Sequence, residues 1–263
     1  MIDSHAHLDD EKIAGDLQET VANFAPDGID AVINNSCDKQ SMQRGFDIAQ
    51  KHERVFCTVG MHPHTAKDFG DDFKSTMRRL ASNEKVVAVG EIGLDYYYDL
   101  SERSVQRDVF AEQIEIADSL GLPITLHVRD AYGDALDVLT AQKRFLNNGV
   151  LWHCYSGSAE FARQMAKKGH YFAFGGAITF KNADKAEVIR AVPQERLLVE
   201  TDSPYMTPVP FRGKPNHPKY VRLVLEKLAE TLQISFQEAE KLTTQNCLTL
   251  FPKLKEFYAK HQL

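Results

Sequence analysis

Eight short apolar segments, each followed by a more polar stretch, constrain the fold of this 263-residue chain more than any other feature. The intervening stretches have helical periodicity, as at 104–120 and 158–169. Such alternation predicts right-handed βαβ units and a parallel sheet, and eight units over about 200 residues predict an α/β fold, the closed (β/α)₈ TIM barrel. The segments are MIDSHAHL at 1–8, AVINNS at 31–36, VFCTVGMHP at 55–63, VVAVGEIGLD at 86–95, PITLHVR at 123–129, VLWHCYS at 150–156, YFAFGG at 171–176 and LLVETDSP at 197–204.

A doubly wound open sheet is the alternative architecture. That fold opens its first helix with a GxGxxG motif, whereas the first segment here ends in histidines and acids. No linker, repeat or low-complexity segment divides the chain, so we expect one domain over 1–263 rather than two smaller ones. Beyond the eighth segment we expect a helix near 218–231 and extra C-terminal helices at about 235–262, opened by a capping box of Ser235 and Glu238.

Side chains that bind metals lie in or directly after the apolar segments. His5 and His7 are two residues apart, so in a strand both point to the same face. A TIM barrel gathers the C-terminal ends of its strands at one mouth. Burying several imidazoles and two carboxylates there without partners would cost several kcal/mol, which a divalent cation would offset. The pattern therefore predicts a metal centre at the C-terminal ends of the strands, with the ligands His5, His7, Glu91, His127, His153 and Asp202.

This ligand set exceeds the needs of one four-coordinate ion, so we expect two divalent ions per chain with Glu91 able to bridge them. Mixed imidazole and carboxylate ligands suit Zn²⁺ or Mn²⁺, whereas a purely Mg²⁺ site would favour oxygen ligands. The choice among Zn²⁺, Mn²⁺ and Mg²⁺ stays open at this point.

The composition narrows the class of protein. A net charge of −6 disfavours a broad basic surface that coats nucleic acid, so such a substrate would be bound locally. No segment has the length or apolarity of a membrane span or the pattern of a secretory signal, so we expect a cytoplasmic protein with no membrane partner and no obligate protein partner. The four cysteines form no CxxC pair and are expected to be reduced.

Six motifs, kept in order, give the chain a family resemblance. They are DSHAHLD at 3–9, GMHPH at 60–64, VGEIGLDYY at 89–97, LHVRDA at 126–131, HCYSG at 153–157 and ETDSPYMTPVPFRGKPNHP at 200–218. With them the chain resembles the TatD family of metal-dependent deoxyribonucleases, within the amidohydrolase-like metal barrels. The resemblance implies a (β/α)₈ barrel, a divalent metal centre and hydrolysis of ester bonds, typically phosphodiesters in DNA. Two positions depart from the pattern: Tyr155 stands where phenylalanine is common, and Phe211 where a polar residue is frequent.

The resemblance also carries roles onto single residues. The six predicted ligands match the metal ligands of the family, with Glu91 in the place where many relatives of the wider group use a carboxylated lysine. His62 matches a position associated with the substrate phosphate.

Catalytic roles can be assigned as hypotheses. Asp202, at the end of the last segment, is the best candidate to orient or deprotonate the attacking water, and Glu91 would hold the metals together. His62 would donate to a phosphate oxygen or protonate the leaving group; the alternative is that it only shapes the turn before Pro63. Arg212, in a loop with Lys214, would contact phosphate through its guanidinium fork; the alternative is a solvated charge pair.

Other polar and aromatic residues near the predicted mouth have weaker assignments. Turn formation or hydrogen bonding to ligands explains His64, Asp95, Arg129 and His217 as well as direct catalysis does. Base stacking is one interpretation of Tyr96 to Tyr98, and loop packing is the favoured one. Trp152 should face away from His153 and pack beneath the outer helices.

The leading functional hypothesis is a metal-dependent hydrolase of ester bonds, a deoxyribonuclease that uses a metal-activated water and attacks DNA exonucleolytically. One alternative is a deacylase of a carboxylic ester such as that of aminoacyl-tRNA, since the same activated water would serve. An alternative from another class is a non-catalytic binding protein on a retained barrel, because a fold does not determine a function.

Overall fold

Eight parallel strands, each hydrogen-bonded to the next along the chain, form the sheet in this computed structural model, which describes residues 1–261. The strands are β1 Ile2–Ala6, β2 Ala31–Asn34, β3 Val55–Val59, β4 Val86–Asp95, β5 Ile124–Arg129, β6 Val150–Trp152, β7 Tyr171–Phe174 and β8 Leu197–Val199. The helices are α1 Glu11–Ala14, α2 Leu17–Ala22, α3 Lys39–Lys51, α4 Asp71–Ala81, α5 Arg103–Ser119, α6 Tyr132–Ala141, α7 Ala159–Lys167, α8 Ala186–Ala191, α9 Val221–Leu232, α10 Phe236–Leu250 and α11 Pro252–His261.

The sheet closes where β1 meets the segment after β8. Ala6 bridges Ser203, the His7 N–H donates to the Ser203 carbonyl at 2.7 Å, and the Asp202 N–H donates to the His5 carbonyl at 2.8 Å. The predicted (β/α)₈ TIM barrel is therefore confirmed. β6 and β8 end before the polar residues of their segments, which places His153 and Asp202 in loops at the mouth.

Two apolar clusters fill the molecule because alternate residues of a strand face opposite sides of the sheet. The larger cluster lies between strands and helices and includes Val32 and Val55 of the strands and Phe110 and Leu228 of the helices. Trp152 belongs to it and lies 5.1 Å, ring to ring, from Phe161, as predicted for a side chain beneath the outer helices.

The smaller cluster fills the inside of the barrel at the end opposite the mouth. Ile33, Phe56 and Leu151 from the strands pack there with Phe251 and Leu254 from the C-terminal segment. The helices predicted at about 235–262 are thus α10 and α11, and they close this end; residue 262 of that prediction lies outside the described residues.

The expected capping box opens α10, because the Ser235 hydroxyl accepts the Glu238 N–H and the Glu238 carboxylate accepts the Ser235 N–H. Within residues 1–261, none of the helices combines the length and apolarity needed to cross a bilayer.

Candidate metal centre

The histidines of the first strand face the loop that follows the last one. β1 carries His5 and brings His7 just beyond its end, and the Nε2 atoms of the two rings lie 3.3 Å apart. The Asp202 carboxylate reaches the same place, with Oδ1 at 3.4 Å from His7 Nε2 and 3.8 Å from His5 Nε2. Backbone pairing between β1 and the segment after β8 therefore assembles three of the predicted ligands.

A register irregularity in β4 positions Glu91. The pairing of β4 with β5 shifts between Val89 and Ile92, and the Glu91 N–H leaves that ladder to donate to the Ser36 carbonyl at 2.9 Å. A β-bulge of this kind redirects the side chain within it. The Glu91 carboxylate thereby points into the mouth, and the whole residue is only 3% exposed.

The two oxygens of Glu91 face different histidines. Oε2 lies 3.4 Å from His5 Nε2 and 3.8 Å from His7 Nε2. Oε1 lies 2.7 Å from His127 Nδ1 and 3.1 Å from His153 Nε2. All six predicted ligands are therefore brought together, in two groups that share one carboxylate.

Three of the four imidazoles have their outer nitrogen bound to an acceptor. His7 Nδ1 lies 3.0 Å from the Asn35 carbonyl oxygen, and His127 Nε2 lies 2.9 Å from Asp95 Oδ2. His153 Nδ1 lies 3.1 Å from Glu200 Oε1. Since these oxygens accept, the outer nitrogens carry protons, and the inner nitrogens face the centre, where a bound cation would displace any proton that they hold.

This donor set fits divalent cations. Three triads have ligand atoms within 4.8 Å of one another: His5 with His7 and Glu91, His5 with His153 and Asp202, and His62 with Glu91 and His127. In the first two triads, inner imidazole nitrogens converge with carboxylate oxygens, a donor set that a divalent cation satisfies when it displaces the protons of the imidazoles. The geometry supplies ligands on both sides of Glu91.

The electrostatics of the centre keep its bridging carboxylate charged. Burial alone would raise the pKa of Glu91, but the charges of His153 and His5 and the hydrogen bond from His127 outweigh it. The pKa of Glu91 is consequently held well below its ordinary value. An ionised carboxylate at the middle of the donor set is the form that binds cations.

Comparison with known proteins places this site in a family. The model of TatD-related DNases matches residues 2–252. The chain belongs to the TatD family. It is 38% identical over 252 residues to YabD of Bacillus subtilis, covering 95% of this chain and 98% of that protein, and 37% identical over 255 residues to YcfH of Escherichia coli K12, covering 95% of each. Both are named as uncharacterized metal-dependent hydrolases.

Solved structures agree with the sequence comparison. The crystal structure of YjjV, a TatD homologue from Escherichia coli K12, superposes with a TM-score of 0.88 at 30% identity, over 96% of this chain and 98% of that one. The TatD resemblance seen in the six motifs is therefore confirmed.

His62 borders the metal centre of this TatD chain on the His127 side. Its Nε2 lies 3.8 Å from Glu91 Oε1, and its Nδ1 accepts the His64 N–H at 3.2 Å. Burial and the charge of His127 hold the pKa of His62 well below its ordinary value. The ring is accordingly neutral, with its proton on Nε2 and aimed at the centre.

Arg212 lies on the loop after β8, where its guanidinium stacks on the Phe180 ring at 3.8 Å from the ring centroid. This contact joins Arg212 to Phe180, which is not one of the six predicted metal ligands. The role of Arg212 at a phosphate stays a prediction. His217 similarly lies apart, in a pocket with Asp16 and Glu19 of the β1–β2 connection.

Two carboxylates hold predicted ligands in place without belonging to the predicted set. Asp95 Oδ2 is shared by His127 and by His64 Nε2 at 3.0 Å, and the sequence had already placed Asp95 and His64 near the mouth without a definite role. Glu200, fully buried behind His153, was missed. The available signal was its spacing of two from Asp202 in VETDSP, which points both side chains the same way in an extended chain.

Proposed function

We propose that this chain, a metal-dependent hydrolase of the TatD family, is a deoxyribonuclease that hydrolyses phosphodiester bonds in DNA and acts from strand ends. The observation that carries the proposal is the orientation of the Glu91 carboxylate. Its Oε2 faces His5 and His7, while its Oε1 faces His127 and His153. A bridging carboxylate between two imidazole pairs is the donor pattern of a two-ion centre. Two ions per chain are part of the proposal.

When bound, two divalent cations lower the pKa of a water and polarise the oxygens of a phosphodiester. The residues of the chain supply the rest of the machinery. Glu91, with its side chain 3% exposed, ties the two donor groups together. The Asp202 side chain is 14% exposed, so solvent reaches it, and it is the carboxylate placed to orient the water and take its proton.

His62 donates rather than accepts. Because its Nδ1 is occupied by the His64 N–H, the inward Nε2–H is the group available to substrate. A neutral imidazole N–H is a good hydrogen-bond donor to a non-bridging phosphate oxygen. Of the two roles considered for His62, we therefore favour the phosphate contact over protonation of the leaving group.

The decisive assay uses purified protein, single-stranded DNA labelled at either the 3′ or the 5′ end, and aminoacyl-tRNA, each with Zn²⁺, Mn²⁺ or Mg²⁺. We expect stepwise shortening of the DNA that stops when EDTA is added. Deacylation of the tRNA with no cleavage of DNA under any of these ions would replace the nuclease with the ester deacylase.

The metal centre itself is tested by metal content. The double substitution His5→Ala with His7→Ala should lower the bound divalent metal per chain, measured by elemental analysis after dialysis. His52→Ala, just after α3 and outside the donor set, is the matched control and should keep the wild-type content. Full metal content in the double variant would show that these histidines are not ligands.

A further inference from the structure

Two loops at the mouth of the barrel carry exposed large apolar side chains. Within residues 1–261, the exposed large apolar side chains lie in two loops, one after β4 and one after β8. They are Tyr97 at 58%, Tyr98 at 53% and Leu100 at 57% in the first loop, and Tyr205 and Val209 at 44% each in the second. Grouped exposure of this kind marks an interaction surface.

The first loop is fixed to the metal centre through Asp95. The N–H groups of Tyr97 and Tyr98 donate to Asp95 Oδ1 at 3.0 and 2.9 Å, while Asp95 Oδ2 holds His127. The exposed Arg129 guanidinium covers the Tyr97 ring at 3.9 Å and the Tyr98 ring at 5.0 Å. The two rings and this cation form the β4 platform.

The second loop places another ring on the His7 side of Glu91, and α1 places a cation beside that ring. The Tyr205 ring lies 6.0 Å from the His7 ring, and its hydroxyl donates to Asp10 at 2.7 Å. The exposed Lys12 ammonium lies 5.0 Å from the centre of the Tyr205 ring. Tyr205 and Lys12 form the β8 platform.

We propose that the β4 and β8 platforms stack unpaired bases of single-stranded DNA on the two sides of the metal centre. The inference rests on the proposed function and deepens it by naming the residues that would contact the bases. Each platform pairs an exposed tyrosine with a cation, which matches a nucleotide, itself a flat base joined to a phosphate. Such local cations suit a polyanion on a chain of net charge −6. Bases stacked inside a duplex have no free face to offer.

The test measures binding of a fluorescein-labelled oligothymidylate by anisotropy in EDTA, which prevents cleavage. Replacing Tyr97 and Tyr98 together by alanine, or Tyr205 by alanine, should weaken binding by about tenfold or more, as expected for loss of base stacking. Leu100→Ala and Val209→Ala are matched controls: equally exposed residues of the same loops, without a ring. They should bind as the wild type does, and circular dichroism should show that every variant is folded.

A strand of equal length whose nucleotides lack bases isolates the stacking contribution. The wild type should bind this strand at least as weakly as either set of tyrosine variants binds oligothymidylate, because it loses stacking on both platforms, and the tyrosine substitutions should cost nothing further on it. Equal losses on both strands would mean that the tyrosines do not stack on bases, which overturns the proposal. Losses in Leu100→Ala and Val209→Ala as large as those of the tyrosine variants would also overturn it, in favour of an apolar protein partner.

The platforms and the nuclease can fail separately. If tyrosine-dependent binding is observed but DNA is not cleaved with any divalent ion, base stacking on the platforms is supported and the proposed nuclease reaction is wrong. If DNA is cleaved but the tyrosine variants bind oligothymidylate normally, the nuclease reaction is supported and base stacking on the platforms is wrong.

Discussion

Glu200 Oε1 accepts a hydrogen bond from His153 Nδ1 at 3.1 Å, and the same ring presents Nε2 to Glu91 Oε1, also at 3.1 Å. Glu200 Oε1 also accepts the Cys154 N–H at 2.6 Å, so this carboxylate is anchored to the backbone of the loop that carries His153. A carboxylate behind an imidazole orients the ring and raises its basicity toward a cation. Glu200 is accordingly a positioning residue for the metal centre.

Replacing Glu200 with glutamine should weaken the binding of divalent metal by about 10- to 100-fold, because a neutral amide polarises the imidazole less. Calorimetric titration of metal-free protein with Zn²⁺ measures this directly. Glu195→Gln makes the same change at an exposed position five residues earlier and should leave the affinity unchanged. Unaltered affinity in Glu200→Gln would show that this carboxylate does not tune the ligand.

Asp202→Asn should separate turnover from binding. The amide cannot accept the proton of the attacking water, so we expect kcat on DNA to fall by about 10²- to 10⁴-fold. Binding of single-stranded DNA in EDTA should change by only a few fold, since the shape of the side chain is kept. Asp108→Asn, exposed on α5, is the control. Normal turnover in Asp202→Asn would remove it from the role of general base.

The barrel could be predicted because each strand is a buried apolar run with its own helix, and the rules for βαβ connections leave few ways to arrange eight of them. The residues at which the strands end were harder to predict. VLWHCYS predicts seven strand residues, yet β6 ends at Trp152, because the backbone after it turns to aim His153 inward. The closure of the barrel by α11 at the end opposite the mouth depends on long-range packing that no local sequence pattern encodes.

The clustering of the six predicted ligands could be predicted because metal-binding residue types stand at strand ends, which the fold brings together at one mouth. The residues that support them could be predicted only in part: hydrogen bonding to ligands was one interpretation of Asp95, whereas Glu200 was missed. Whether Glu200 supports His153 or points elsewhere depends on strand register and side-chain rotamer, which a single sequence does not reveal. Arg212 shows the same limit, since its stacking on Phe180 joins two loops that are distant in sequence.

Gly93→Ala should destabilise the protein and loosen the site. Gly93 pairs with His127 in the β4–β5 ladder at a φ of +140°, which L side chains rarely adopt, and an added Cβ would collide with the His127 carbonyl oxygen. We expect a loss of about 2 kcal/mol or more in the free energy of unfolding, measured with urea.

Gly133→Ala provides the contrasting case. Gly133 lies in α6 with open space around it, so alanine there should stabilise by up to about 1 kcal/mol. If the two substitutions had equal effects, the close approach at His127 would not be limiting.

Stability should fall with acidification because of His170. This ring is 5% exposed, its Nδ1 accepts the Trp152 indole N–H at 3.0 Å, and burial together with Lys168 lowers its pKa from 6.5 to about 4. The unfolded chain therefore takes up the proton first, so the stabilisation is fully present above pH 6.5 and is lost as the pH falls toward 4. The total effect at this one residue is about 3 kcal/mol.

The measurement is urea unfolding of the wild type and of His170→Asn between pH 7.5 and 4.5, outside which other groups dominate. Asparagine keeps an acceptor for the Trp152 indole but does not titrate, so the variant should lose less stability on acidification than the wild type. The difference between the two proteins should shrink steadily below pH 6.5, because only the wild type pays the cost of keeping an imidazole neutral. Parallel pH profiles would mean that His170 is protonated as readily in the folded protein as in the unfolded chain.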